Sequence, residues 1–322
     1  MRVTVTGGAG YVGSTLVPLL LAQGHWVRAV DALLHGGESL LSVWGHPRFE
    51  FLGGDLREAA TREAAVDGAD AIVHLAAIVG DPACARTPDV AQAVNVDASL
   101  ALLDAACHIP GTRFVFASTC SNYGRMADPA AFVNEASPLR PVSLYARTKV
   151  TMEEAVLEAG QAGRCCATAL RFATVYGASP RMRFDLTVNE FTAEAVAHRR
   201  LVVYGEQFWR PYVHVADAAR AIGGVLLAAP ELVAGEVYNV GSTKENYRKL
   251  DIVELLRPVA PGMVVEYVPQ GDDPRDYRVS FQRIANALGY HTTRCVPDGI
   301  AEVAGMVQTG IVGDFTSARY RN

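Results

Sequence analysis

The feature that most constrains this chain lies at its start. A β-branched run, Val3–Thr6, breaks into Gly7-Gly8-Ala9-Gly10-Tyr11-Val12-Gly13 and then continues as a helical pattern, Ser14–Ala22. Gly8, Gly10 and Gly13 satisfy G-x-G-x-x-G, and Gly7, Gly10 and Gly13 equally read as G-x-x-G-x-x-G. Strand, glycine turn and helix in that order let a backbone approach a diphosphate closely, with a helix N-terminus aimed at the anion. A Walker A reading fails because Ser14 follows Gly13 where a lysine should stand. The next strand pattern ends at Asp31, where a carboxylate can accept from a ribose diol and repel a 2′-phosphate, which favours NAD over NADP.

The pattern that starts here repeats. Strand-like runs at Val3–Thr6, Trp26–Val30, Phe49–Leu52, Ala71–Ala76, Arg113–Ser118 and Ala167–Phe172 alternate with helical patterns, notably Pro88–His108 and Ser143–Ala162. Such alternation predicts an α/β fold with a doubly wound parallel Rossmann sheet; the less regular second half is expected to add a smaller C-terminal substrate-binding lobe, as the family resemblance given below implies. At 322 residues the chain is long enough for both. The expected division is 1–173 plus about 212–240 for the dinucleotide domain, and about 174–211 plus 241–322 for the lobe.

Composition narrows the function classes. With 29 basic against 34 acidic side chains, there is no basic footprint for nucleic acid. No secretory signal and no apolar run of about 18–20 residues is evident, and the six cysteines lack C-x-x-C spacing. The expectation is a soluble cytoplasmic protein with reduced thiols. The eight histidines show no metal-ligand spacing, and no G-x-S-x-G elbow is present.

Tyr145 and Lys149 stand one turn apart in the second long helical pattern. Random placement of the three lysines behind 12 tyrosines would give about 0.1 such pairs. An ammonium beside a phenol favours the phenolate, so Tyr145 is expected to titrate low and act as a base.

With this pair the chain resembles the extended short-chain dehydrogenases/reductases, in the NAD-dependent nucleotide-sugar epimerase/dehydratase family, over nearly its whole length. The resemblance implies that the Gly7, Gly10, Tyr11, Val12 and Gly13 loop holds the cofactor together with Asp31. It implies that Asp55 and Leu56 flank adenine, that Leu75, Ala76 and Ala77 lie along the cofactor, and that Asn95 is the family's helix asparagine. Ser118-Thr119-Cys120-Ser121-Asn122-Tyr123-Gly124 resembles the catalytic strand end, with Thr119 sharing the substrate oxygen with Tyr145 and with Lys149 on the nicotinamide ribose. Leu170–Gly177 resembles L-R-x-x-N-x-Y-G with Thr174 in place of asparagine. Arg210 and Arg275 fall in segments that resemble the family's diphosphate-binding arginines, and Arg181 and Asn189 are further substrate candidates.

By this resemblance Tyr145 takes a proton from a sugar hydroxyl, at O4, while NAD takes the hydride. The 4,6-dehydratases of the family carry Asp and Glu directly after the threonine, whereas here Cys120 and Ser121 follow. A 4-epimerase needs neither carboxylate and is the leading reading. Cys120 as an acid or base would make the chain a dehydratase or a non-standard epimerase, although the cysteine of some 3,5-epimerases falls at the position of Ser121. An NADH-dependent 4-ketoreductase shares the same residues. The long helices are expected to pair with their copies in a homodimer.

Overall fold

The structure, a computed structural model, describes residues 1–322 except 127, 129–130 and 270–274. The Asp273-Pro274 half of the second arginine segment therefore lies outside the described residues. The described residues form twelve strands: β1 Arg2–Thr6, β2 Trp26–Asp31, β3 Phe49–Gly53, β4 Ala71–His74, β5 Arg113–Thr119, β6 Cys166–Phe172, β7 Thr174–Tyr176, β8 Arg200–Tyr204, β9 Trp209–His214, β10 Glu236–Val240, β11 Asn246–Arg248 and β12 Val264–Val268. Seven of them build one sheet in the order β10-β6-β5-β4-β1-β2-β3, every pairing parallel. This is the doubly wound Rossmann sheet, and its order reverses between β1 and β4, where such sheets open a ligand crevice beyond the strand C-termini.

The strands are apolar on both faces because helices cover both. Val3, Val5, Val27, Ala29 and Val73 pack with Leu16, Leu20 and Ile222 on one side. Ile72, Phe114, Phe116, Ala167 and Ala169 pack with Leu102, Leu103, Met152 and Val156 on the other. Strands β7, β9 and β11 form a small second sheet, and β8 pairs with β12. All of β9 sits in that small sheet, so the return to the large sheet begins at helix Val215–Leu227. Asp217, fully buried on that helix, accepts from Thr293 N, Thr293 Oγ1, Arg294 N and Arg220 Nη1, which fastens the C-terminal segment to the sheet domain.

Two expectations need correction. Pro88–Cys107 is, by length and composition, apolar enough to cross a membrane, but its Leu102, Leu103 and Ala106 are buried in the core under the sheet. Cys107 and Cys165 form a disulfide across 58 residues. They meet because the end of that helix and the entry to β6 are neighbours in space, a proximity that spacing along the chain does not reveal.

His74, at the end of β4, is fully enclosed between Thr6 Oγ1 at 2.7 Å and Ser99 Oγ at 2.8 Å. Burial, with a smaller push from the Lys149 charge, lowers its pKa from 6.5 to about 3. Between those two values the unfolded chain binds a proton that the native chain does not. Stability is therefore expected to fall as pH drops through that window, and His74→Gln should flatten the decline. Denaturant midpoints at neutral and mildly acid pH check this, and an unchanged slope in the variant contradicts it.

Candidate functional site

The crevice is built from the ends of β1, β2, β4 and β5. At the end of β1, Gly7 adopts φ +71°, and a Cβ there would lie 2.8 Å from Ala76 N. A Cβ on Gly13 would collide with the Gly7 carbonyl. The loop is thus packed backbone to backbone, as close approach to a diphosphate requires. Among the described residues, the N–H groups of Tyr11 and Val12 at the start of helix Gly13–Ala22 have no protein acceptor. They are the donors a phosphate would take.

Asp31 ends β2 beside this loop. Its Oδ2 accepts from Ala9 N at 3.0 Å and its Oδ1 from Leu33 N at 2.8 Å, leaving further lone pairs for a diol. Burial raises its carboxyl pKa, against those two hydrogen bonds. Gly54 N donates to the Asp31 carbonyl, bringing Asp55 and buried Leu56 alongside. The Asp55 carboxylate is itself bound by Arg57 at 2.6 Å. Leu75 and Ala76 are hung from Thr6 by their N–H groups, with Ala77 following. These residues form a cradle that fits a dinucleotide.

Asn95 acts one step back. It sits in a π-helical turn, Ala93–Ala98, and its amide both accepts from Ile78 N at 2.8 Å and donates to Ile78 O at 2.9 Å. It also reaches Thr148 Oγ1 at 3.4 Å, tying the loop after β4 to the helix that carries Lys149.

That helix, Leu144–Gln161, starts because Ser143 Oγ accepts from Ala146 N at 3.1 Å. Lys149 Nζ donates to Ala117 O at 2.9 Å and lies 5.9 Å from the centre of the Tyr145 ring, so the helix's first turns sit against the end of β5. Thr119 is the last residue of β5, where its Oγ1 accepts from Ser121 N at 3.1 Å. The Tyr145 phenol has no hydrogen-bond partner among the described residues. Burial lowers Lys149 to about 8 and holds the Tyr145 phenol well above its usual range. This corrects the expected low phenol: in the protein by itself burial outweighs the Arg183 charge that favours the phenolate, and burial also lowers the pKa of Lys149.

The small lobe is stitched onto the cofactor loop. Tyr11 Oη donates to Gly177 O at 2.6 Å and accepts from Asn189 Nδ2 at 3.1 Å. Asn189 also accepts from Gly177 N and donates to Arg183 O, so its amide binds protein groups and positions the 177–183 segment. Arg183 is fixed by Asp185 at 2.6 Å, and its charge reaches both Tyr11 and Tyr145. Arg210 lies 5.6 Å from the centre of the Tyr277 ring, and Tyr277 in turn bonds Ser121. Arg275 pairs with Asp81 at 3.0 Å, a carboxylate whose charge Tyr145 feels. Arg275 is thus tied to the start of helix Asp81–Arg86, and Arg210 to Tyr277. No sequence motif marks Asp81, and Tyr277 is visible only as part of the arginine segment.

Cys120 is not where its proposed acid–base role would need it: it is buried, its thiol donates to Arg171 O at 3.3 Å, and burial pushes its pKa up, so it does not face the crevice. Arg181, a further substrate candidate, has its backbone N–H 3.4 Å from Ser14 Oγ of the first helix.

Residues 3–241 match the NAD dependent epimerase/dehydratase family. The chain belongs to that family. This epimerase/dehydratase is 32% identical over 318 residues to a dTDP-glucose 4,6-dehydratase of Actinoplanes sp., covering 94% of this chain and 96% of the relative. It is 28% identical to a UDP-glucose 4-epimerase of Corynebacterium glutamicum, covering 90% of each. The dTDP-glucose 4,6-dehydratase of Streptomyces venezuelae, solved with NAD bound, superposes with a TM-score of 0.85 at 27% identity, covering 98% of this chain and 100% of that one. The epimerase/dehydratase is an NAD-dependent enzyme of the nucleotide-sugar class, and the cradle described above fits that cofactor.

Proposed function

We propose that the chain is a nucleotide-sugar 4-epimerase. The observation that carries this reading is the end of β5. Cys120 and Ser121 follow Thr119 where an eliminating enzyme needs an acid and a base, and the one thiol is turned onto the Arg171 carbonyl. Tyr145, its hydroxyl without a partner among the described residues, accepts the proton of the sugar O4 hydroxyl as the phenolate and becomes the neutral phenol, and Thr119 bonds the same oxygen. Lys149, an amine with a pKa of about 8, lies beside the tyrosine and orients the ribose that carries the reacting ring. NAD, when bound, supplies the hydride acceptor and returns the hydride. Rotation of the keto sugar before that return inverts the carbon without any further acid or base. In this reading Arg210 and Arg275 take the sugar nucleotide's diphosphate, for which a guanidinium's paired N–H groups suit them. We also propose a homodimer through the half-buried Pro88–Cys107 helix, whose exposed apolar positions include Val90.

Incubating the purified chain with a panel of nucleotide sugars and no added cofactor tests the reaction. A product of unchanged mass and new retention is the expected result. A product lighter by one water would make the chain a dehydratase, and activity only with added NADH and a keto sugar would make it a ketoreductase.

A further inference from the structure

Arg181 is 6% exposed, yet no carboxylate among the described residues lies within salt-bridge distance of it. Two other buried arginines are neutralised: Arg171 by Glu153 at 2.6 Å and Arg183 by Asp185 at 2.6 Å. Among the described residues, the only hydrogen bonds Arg181 makes are from its backbone N–H to Ser14 Oγ at 3.4 Å and from Nη2 to Arg321 O at 3.1 Å, while its Nε is buried without a partner there. A buried guanidinium in that state is costly, and proteins keep such groups where an anion arrives to meet them.

Its place says which anion. Ser14 opens the first turn of helix Gly13–Ala22, whose leading N–H groups at Tyr11 and Val12 are without acceptors. Ser179, two residues before Arg181, donates to Tyr11 O at 2.7 Å, so the segment carrying the arginine is laid across the glycine loop. Asp31 ends β2 beside the same loop, its carboxylate on Ala9 N, so Arg181 is held over the glycine turn where the dinucleotide's two phosphates pass.

We propose that Arg181 is a cofactor residue, an arginine from the small lobe that binds the diphosphate of NAD from the side opposite the glycine loop. The cofactor then joins the two halves of the molecule, with the helix N-terminus on one side of the phosphates and Arg181 on the other. The inference rests on the chain's use of NAD and is independent of whether epimerisation or dehydration follows.

The test separates this diphosphate from that of the sugar nucleotide. Arg181→Gln is expected to purify with less NAD per chain. After the cofactor is stripped, its affinity for ADP-ribose should fall about tenfold to a hundredfold, the worth of a charge-assisted bond. Affinities for adenosine, UDP and dTDP should stay unchanged, and Arg181→Lys should recover part of the loss. The stripped Arg181→Gln protein should melt no lower than wild type, because the substitution removes an uncompensated buried charge. Unchanged ADP-ribose affinity overturns the proposal, as does a loss that falls on UDP or dTDP. A lower melting temperature with normal ADP-ribose binding makes the arginine structural and overturns it as well.

Discussion

Tyr145→Phe is expected to lower kcat by about 10²–10⁴-fold, the usual worth of a positioned general base, and to leave the fold and the retained NAD as they are. The phenol is the one polar atom the substitution removes, and no described residue bonds it. The ring stays in place, 5.9 Å from Lys149 Nζ, so the amine keeps its bond to Ala117 O. Cofactor content and melting temperature should therefore match wild type while turnover collapses. Because burial holds the resting phenol high, the activity of the wild-type enzyme should also rise with pH toward alkaline values. A Tyr145→Phe enzyme with most of its turnover would remove the residue from the mechanism.

Glu153→Gln is expected to cost about 3–5 kcal/mol, the penalty for leaving one member of a buried ion pair uncompensated. The carboxylate is 1% exposed and receives Arg171 Nη2 at 2.6 Å, Arg171 Nε at 3.0 Å, Ser118 Oγ at 2.5 Å and Asn122 Nδ2 at 3.3 Å. Arg171 continues to Tyr123 Oη at 2.8 Å, and Tyr123 donates to Asn239 Oδ1 at 2.8 Å. This network fixes the end of β5 from below, one residue from Thr119. Thermal unfolding should show the loss directly as a melting temperature lower by roughly 5–15 °C. Replacing both partners with methionine should recover much of it, since the pair's desolvation cost goes with its attraction. A Glu153→Gln protein as stable as wild type would show that the network contributes nothing.

Much of the fold was legible because parallel strands buried on both faces are written as continuous β-branched runs. Each of the six expected strands appears within a residue or two of its reading, and Tyr145 and Lys149 share a helix face as their spacing requires. The glycine loop was legible because its conformation admits little else at Gly7 and Gly13. Spacing did not reveal contacts made between distant segments. The Cys107–Cys165 pairing, the Arg275–Asp81 bond across 194 residues and the turn of Cys120 toward Arg171 all depend on how elements pack. The contact of the Arg181 segment with the first helix was hidden for the same reason: it follows β7 in sequence, but the loop folds back through Ser179 and Ser14. The phenol's titration was misread because spacing shows the lysine and conceals the burial.

The fate of the hydrogen on C4 decides the central claim. A nucleotide sugar deuterated at C4 is incubated with the enzyme as purified, and the product is analysed by mass spectrometry and NMR. The account predicts a C4 epimer of unchanged mass with its deuterium still on C4, removed and returned within one turnover. Deuterium found on C6 of a product lighter by one water would contradict it and make the chain a 4,6-dehydratase.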